Sequence, residues 1–154
     1  MDTVPCANCG LVDHASWCLV EWSGMPLYKQ PSKWSCLPTS FAMVTRTPLS
    51  ELMLYLGHDD ERGFHPEELF AWALTKGWAF VAFYPASEVE GTDDYSGFKR
   101  VPVDELLKDY SGVMMGKDHA VAWDHERQKV LDPNFTVYDS FPFEVFFLGV
   151  KWKN

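Results

Sequence analysis

The sequence predicts an α+β fold in which a helical first half packs against an antiparallel β-sheet formed by the second half. Segments 49–56 and 66–76 carry apolar residues at helical spacing. Segments 118–124 and 129–134 read instead as two strands joined by a turn at 125–128. A chain of 154 residues with 47% hydrophobic residues is one ordinary domain, which forms a core without disulfides.

The helices are predicted from their start signals and apolar stripes. The first runs from Cys36 to Val44, because Pro38 falls in the first turn, where its missing N–H costs nothing. The second covers 49–56. The third begins at Pro66, which is followed by acidic residues in the first turn, and Gly77 ends it.

A strand is predicted next, over 78–84, followed by a polar loop at 85–100 and a short helix at 103–110. The loop is acidic. Its charges are typical of a solvated surface, and the alternative is a surface that favours a basic substrate segment.

The hairpin that follows has a predictable register. If Asp124 pairs with Lys129, Val121 faces Asp132 and His119 faces Asn134. Asp132 is then a diagonal neighbour of His119 on the same face of the hairpin. Either Asp132 or Asn134 is therefore placed to orient the His119 imidazole.

Cys36 is the candidate nucleophile. It begins a predicted helix, whose positive end stabilises a thiolate. Gln30 lies six positions earlier on a turn-prone segment, from which its amide can donate to an oxyanion together with the Cys36 backbone N–H. With His119 as base and Asp132 as its partner, these residues are the groups that thiol-based acyl transfer requires. The alternative is a buried, inert thiol at a helix start.

These motifs resemble those of the papain-like cysteine peptidases, and most closely the C39 (bacteriocin-processing) and C39-like branch. The resemblance covers about residues 26 to 152 and depends on the Gln30–Cys36 offset, the strand opened by His119, and the Asp-Pro element at Asp132. It implies a papain-like fold and a peptidase or amidase that hydrolyses a peptide or isopeptide bond. By the same resemblance, Gln30 is the oxyanion donor, Cys36 the nucleophile, His119 the base and Asp132 its orienting partner.

Two other functions stay open on this fold. A catalytically retired binding or inhibitor protein is one, because Leu37 follows the cysteine where the family commonly has glycine. An acyltransferase or transpeptidase is the other. Trp34 and Trp123 are expected to line a substrate groove, and core packing is the alternative for both.

The N-terminal extension, residues 1–25, precedes the predicted papain-like domain at 26–154 and contains a possible zinc knuckle. A closed four-ligand site would be structural, so catalysis is expected to need no cofactor. The alternative is reduced cysteines in a packed extension. The ligands would be Cys6, Cys9, His14 and Cys18.

Charge and hydropathy limit the partners. The net charge of −9 argues against nucleic acid and favours a neutral or basic protein or peptide substrate. No apolar stretch is long enough to span a membrane. The first residues lack the basic start and apolar run of a secretion signal, so a cytoplasmic location is expected, where cysteines stay reduced.

Overall fold

The structure, a computed structural model, describes residues 24–57, 63–85 and 102–153. Within these ranges the fold is α+β, with four helices and one five-stranded antiparallel sheet. Most of the acidic loop lies outside the described residues. The same is true of the predicted zinc ligands Cys6, Cys9, His14 and Cys18.

The helices follow the predicted start signals closely. Helix α3 has Pro66 at its first position, and the Glu68 carboxylate accepts the backbone N–H of His65 to close a capping box. Gly57 ends α2 with φ of 71°, a conformation that glycine adopts at little cost. The four helices are α1 (Cys36–Thr45), α2 (Leu49–Leu56), α3 (Pro66–Thr75) and α4 (Val103–Asp109).

The sheet has the strand order β1-β5-β2-β3-β4. Its strands β1 and β4 are at the edges, and β5 lies between β1 and β2. The predicted pairing of Asp124 with Lys129 in the β3–β4 hairpin is confirmed. The strands are β1 (Trp78–Phe83), β2 (Gly112–Met115), β3 (Ala120–Asp124), β4 (Lys129–Leu131) and β5 (Val145–Lys151).

Two apolar clusters cover the two faces of the sheet. The larger one contains most of α1 and is centred on Phe41, whose ring contacts those of Phe70, Phe80 and Phe147. The smaller one lies on the opposite face, where the side of α4 that carries Val103 packs. The sheet is therefore the middle layer of the molecule.

Helix α1 is the central helix of the larger layer. Every residue from Leu37 to Thr45 is buried, and the helix packs against β2, β3, α2 and α3. A helix that is buried on all sides is typical of the interior of a domain. Its position against β3 brings Cys36 toward the residue that precedes this strand.

No helix in the described part of the chain is long and apolar enough to cross a membrane.

Candidate functional site

A short turn sets the start of α1. The Ser35 hydroxyl accepts the backbone N–H of Ser32 at 3.0 Å and donates to the Ser32 carbonyl oxygen at 2.9 Å. Ser35 is fully buried, so these bonds are shielded from water. The turn fixes the point at which the helix begins, and Cys36 is its first residue.

The His119 ring lies between the Cys36 thiol and the Asp132 carboxylate. Its Nε2 is 2.6 Å from Asp132 Oδ1, and the Cys36 side chain is the neighbour that raises the pKa of the ring most. Since Asp132 takes Nε2, the nitrogen left for the thiol is Nδ1. The sequence-predicted nucleophile, base and orienting carboxylate therefore form one continuous series.

The pKa of His119 is raised from 6.5 to about 9. The hydrogen bond with Cys36 is the largest cause, and the hydrogen bond and negative charge of Asp132 raise the pKa further, while burial lowers it. The His119 side chain is 24% exposed and that of Asp132 is fully buried. The arrangement therefore favours a charged imidazolium beside the thiol at neutral pH.

Asp132 is fixed by the turn after β4. Its Oδ1 accepts the backbone N–H of Asn134 at 2.8 Å as well as the His119 ring. The sequence left open whether Asp132 or Asn134 orients the imidazole. The structure assigns this contact to the Asp132 carboxylate, and the Asn134 side-chain oxygen instead accepts the Lys29 ammonium at 2.7 Å.

The strands predicted at 118–124 and 129–134 include His119 and Asp132, but in the structure both residues lie just outside the strands. The backbone N–H of Gly116 donates to the His119 carbonyl oxygen at 2.8 Å, which closes the β2–β3 turn before β3 begins at Ala120. Strand β4 ends at Leu131 because the next carboxylate bonds its own turn. The side chains of His119 and Asp132 therefore meet beyond the last paired residues of β3 and β4, at one end of the hairpin.

Gln30 is hydrogen-bonded to the turn after β4, which contains Asp132 and Pro133. Its backbone N–H donates to the Pro133 carbonyl oxygen at 2.9 Å, and its side-chain Nε2 donates to the Ser32 carbonyl oxygen at 2.7 Å. The second bond fixes which end of the amide is nitrogen, because two oxygens facing each other would repel. The other Nε2 hydrogen has no acceptor among the described residues.

Leu37, the departure from the family pattern, is buried in the larger core with 5% of its surface exposed. Its side chain therefore fills the interior behind the helix.

The two tryptophans lie in different places. Trp34 is 41% exposed and lies two residues before Cys36, with the Lys33 ammonium 4.9 Å from its ring centre. Trp123 belongs to the smaller cluster on the opposite face of the sheet from α1, where its Nε1 donates to the Leu107 carbonyl oxygen at 2.8 Å.

Two aromatic residues near the His119–Asp132 pair were not predicted from the sequence. The Phe141 ring lies edge-on to the His119 ring, with 6.2 Å between the ring centres, and the centres of the Tyr138 and Phe141 rings are 5.3 Å apart. Partial burial raises the pKa of Tyr138, and the negative charge of Asp132 raises it further. Both residues belong to an irregular stretch before β5, where no periodic pattern marks them.

Tyr138 and Phe141 also line a cavity of about 310 Å³ on the outer face of the sheet, together with Trp123. Trp123 was expected in a substrate groove beside Cys36, but it lines this cavity on the side of the sheet away from α1.

No cluster of three or more histidine, cysteine, aspartate or glutamate side chains suited to a metal ion occurs in the described ranges. The chain matches no family model, no curated protein and no solved structure. Its function is therefore argued from the geometry of the site.

Proposed function

We propose that the protein is a papain-like cysteine peptidase or amidase that hydrolyses a peptide or isopeptide bond. The observation that carries the proposal is the Cys36–His119–Asp132 series at the N-terminus of α1, with His119 charged near neutral pH. An imidazolium and a helix N-terminus both favour the thiolate, which is the nucleophilic form of cysteine.

The first half of the reaction makes a thioester. The Cys36 sulfur attacks the carbonyl carbon of the substrate, and the carbonyl oxygen takes on the negative charge. The Cys36 backbone N–H and the free Nε2 hydrogen of Gln30 are the donors available to this oxygen. As the C–N bond breaks, His119 passes its proton from Nδ1 to the leaving amine.

The second half releases the product. His119, now neutral, takes a proton from a water molecule whose oxygen attacks the thioester carbon. The C–S bond then breaks, which yields the carboxylic acid, the Cys36 thiolate and the charged imidazole. Asp132 keeps Nε2–H bonded throughout, so Nδ1 stays directed at the reacting atoms.

The burial of Leu37 supports an active enzyme over a retired one. A residue after the nucleophile would block an acyl group if its side chain occupied the cleft, and Leu37 packs in the core instead.

The first test is the rate at which iodoacetamide alkylates Cys36 between pH 5 and pH 9, mapped by mass spectrometry. Wild-type Cys36 is expected to react rapidly at pH 6, and His119→Ala to react as an ordinary thiol. His65→Ala is the matched control, because His65 is exposed at the start of α3. Ordinary thiol behaviour in the wild type would remove the basis of the proposal.

The second test is cleavage of a peptide mixture, with new N-termini identified by mass spectrometry. Products are expected from the wild type and not from Cys36→Ala. If Cys36 is activated but amide products replace acids when an amine is added, the enzyme transfers acyl groups to amines, and the hydrolase assignment is wrong.

A further inference from the structure

Two lysine–aromatic pairs lie on the segment that leads to the nucleophile. The Lys29 ammonium is 5.3 Å from the ring centre of Phe135, and the Lys33 ammonium is 4.9 Å from that of Trp34. A cation over an aromatic face is held in place by the ring's quadrupole. These four side chains are called the lysine–aromatic rim.

Hydrogen bonds connect the rim to the catalytic residues. Lys29 donates to the Asn134 side chain, and the Asn134 backbone donates to the same Asp132 oxygen that holds His119. On the other side, Trp34 is two residues before Cys36. The two pairs therefore flank the segment that carries Gln30 to the start of α1.

The rim lysines have no carboxylate partner among the described residues. Among the described cations, Arg46, Lys76 and Arg127 form ion pairs with acidic side chains, and Lys29 and Lys33 belong to the group that does not. The exposed Lys117 and Asp118 next to His119 have opposite charges that cancel. In a protein of net charge −9, Lys29 and Lys33 place two positive charges on the segment that leads to Cys36.

The aromatic members of the rim are held out toward solvent. Trp34 is 41% exposed and Phe135 is 44% exposed. Phe135 also has φ of 63°, the left-handed conformation that bulky residues rarely adopt. Strained backbone that presents an exposed ring beside a reactive centre is typical of a binding element.

We propose that the lysine–aromatic rim binds an acidic segment of the substrate, with aspartate or glutamate side chains close to the scissile bond. This inference rests on the proposed function and names its substrate class. Ammonium groups held over aromatic rings present donors to a carboxylate, while the rings contact the apolar part of the peptide. The substrate preference is thus opposite to the basic or neutral partner expected from net charge alone.

The test uses three peptide electrophiles that react with cysteine and differ at one residue next to the reactive group: Glu, Gln or Lys. At low salt, the Glu probe is expected to label wild-type Cys36 about tenfold faster than the Lys probe, with the Gln probe between them. The difference is expected to shrink as salt is added, because the rim is exposed.

The deciding comparison is the ratio of Glu-probe to Lys-probe rates within each variant. Lys29→Gln combined with Lys33→Gln is expected to bring this ratio close to one. Lys151→Gln combined with Lys153→Gln is the control of equal charge change, at the end of β5 beside β1, and is expected to keep the wild-type ratio. Equal labelling by the Glu and Lys probes in the wild type would overturn the proposal, as would an unchanged ratio in the rim variant.

A binding experiment separates the acidic-segment inference from the proposed thiol chemistry. If iodoacetamide alkylates Cys36 no faster than an ordinary thiol, the proposed thiol chemistry is wrong. Binding of unreactive Glu and Lys peptides to Cys36→Ala is then measured by tryptophan fluorescence. Tighter binding of the Glu peptide that is lost in the rim variant supports the acidic-segment inference on its own. Equal binding of the two peptides rejects it.

Discussion

Removing the Cys36 thiol should lower the pKa of His119, because the hydrogen bond between the two is the largest cause of the raised value. The rise from 6.5 to about 9 corresponds to about 3 kcal/mol in favour of the charged ring, or about 2 kcal/mol after solvent screening of the quarter-exposed side chain. At pH 8 about nine-tenths of the His119 rings are charged with this pKa, against about 3% at the ordinary value.

The assay is an NMR titration of the imidazole resonances between pH 5 and pH 10. The wild-type His119 midpoint is expected near 9, so the ring stays charged below that pH and becomes neutral above it. Cys36→Ala and Asp132→Asn are each expected to lower the midpoint, with Cys36→Ala having the larger effect. Loss of the signal in His119→Gln assigns the resonance.

Two outcomes would refute the reasoning. The first is a wild-type midpoint near the ordinary 6.5, which would mean that the ring is not held between two partners. The second is a midpoint near 9 that Cys36→Ala leaves unchanged, which would assign the shift to Asp132 alone.

Two further substitutions test other parts of the structure. Gln30→Ala should lower the turnover of a cleaved peptide by about 100-fold and leave alkylation fast, which steady-state kinetics will show. Phe41→Ala should cost about 3–5 kcal/mol in urea unfolding, and a cost below about 1 kcal/mol would contradict the described core.

The elements with local signals were predictable from sequence. The Pro66 start of α3 and the apolar stripe of α2 are encoded within single turns of chain, so their observed bounds agree with expectation. The register of the β3–β4 hairpin was also predictable, because one short turn fixes the pairing of Asp124 with Lys129. This register predicts that His119 and Asp132 share one face of the hairpin.

Strand β5 was not predicted. Its residues Val145 to Leu148 are all buried, since an inner strand with both faces covered gives a continuous apolar run without alternation. The surroundings of the site were missed for a related reason. Tyr138 and Phe141 reach the His119–Asp132 pair through tertiary packing of an irregular segment, and such packing leaves no period in the sequence.

The candidate site is divided between two parts of the fold. The base and its carboxylate belong to one hairpin, β3–β4, whereas the nucleophile belongs to α1, which meets the hairpin only when the helix packs on the sheet. The His119 ring and the Cys36 thiol therefore become neighbours only when the core is complete. In the proposed mechanism, activation of Cys36 consequently depends on correct folding of the whole domain.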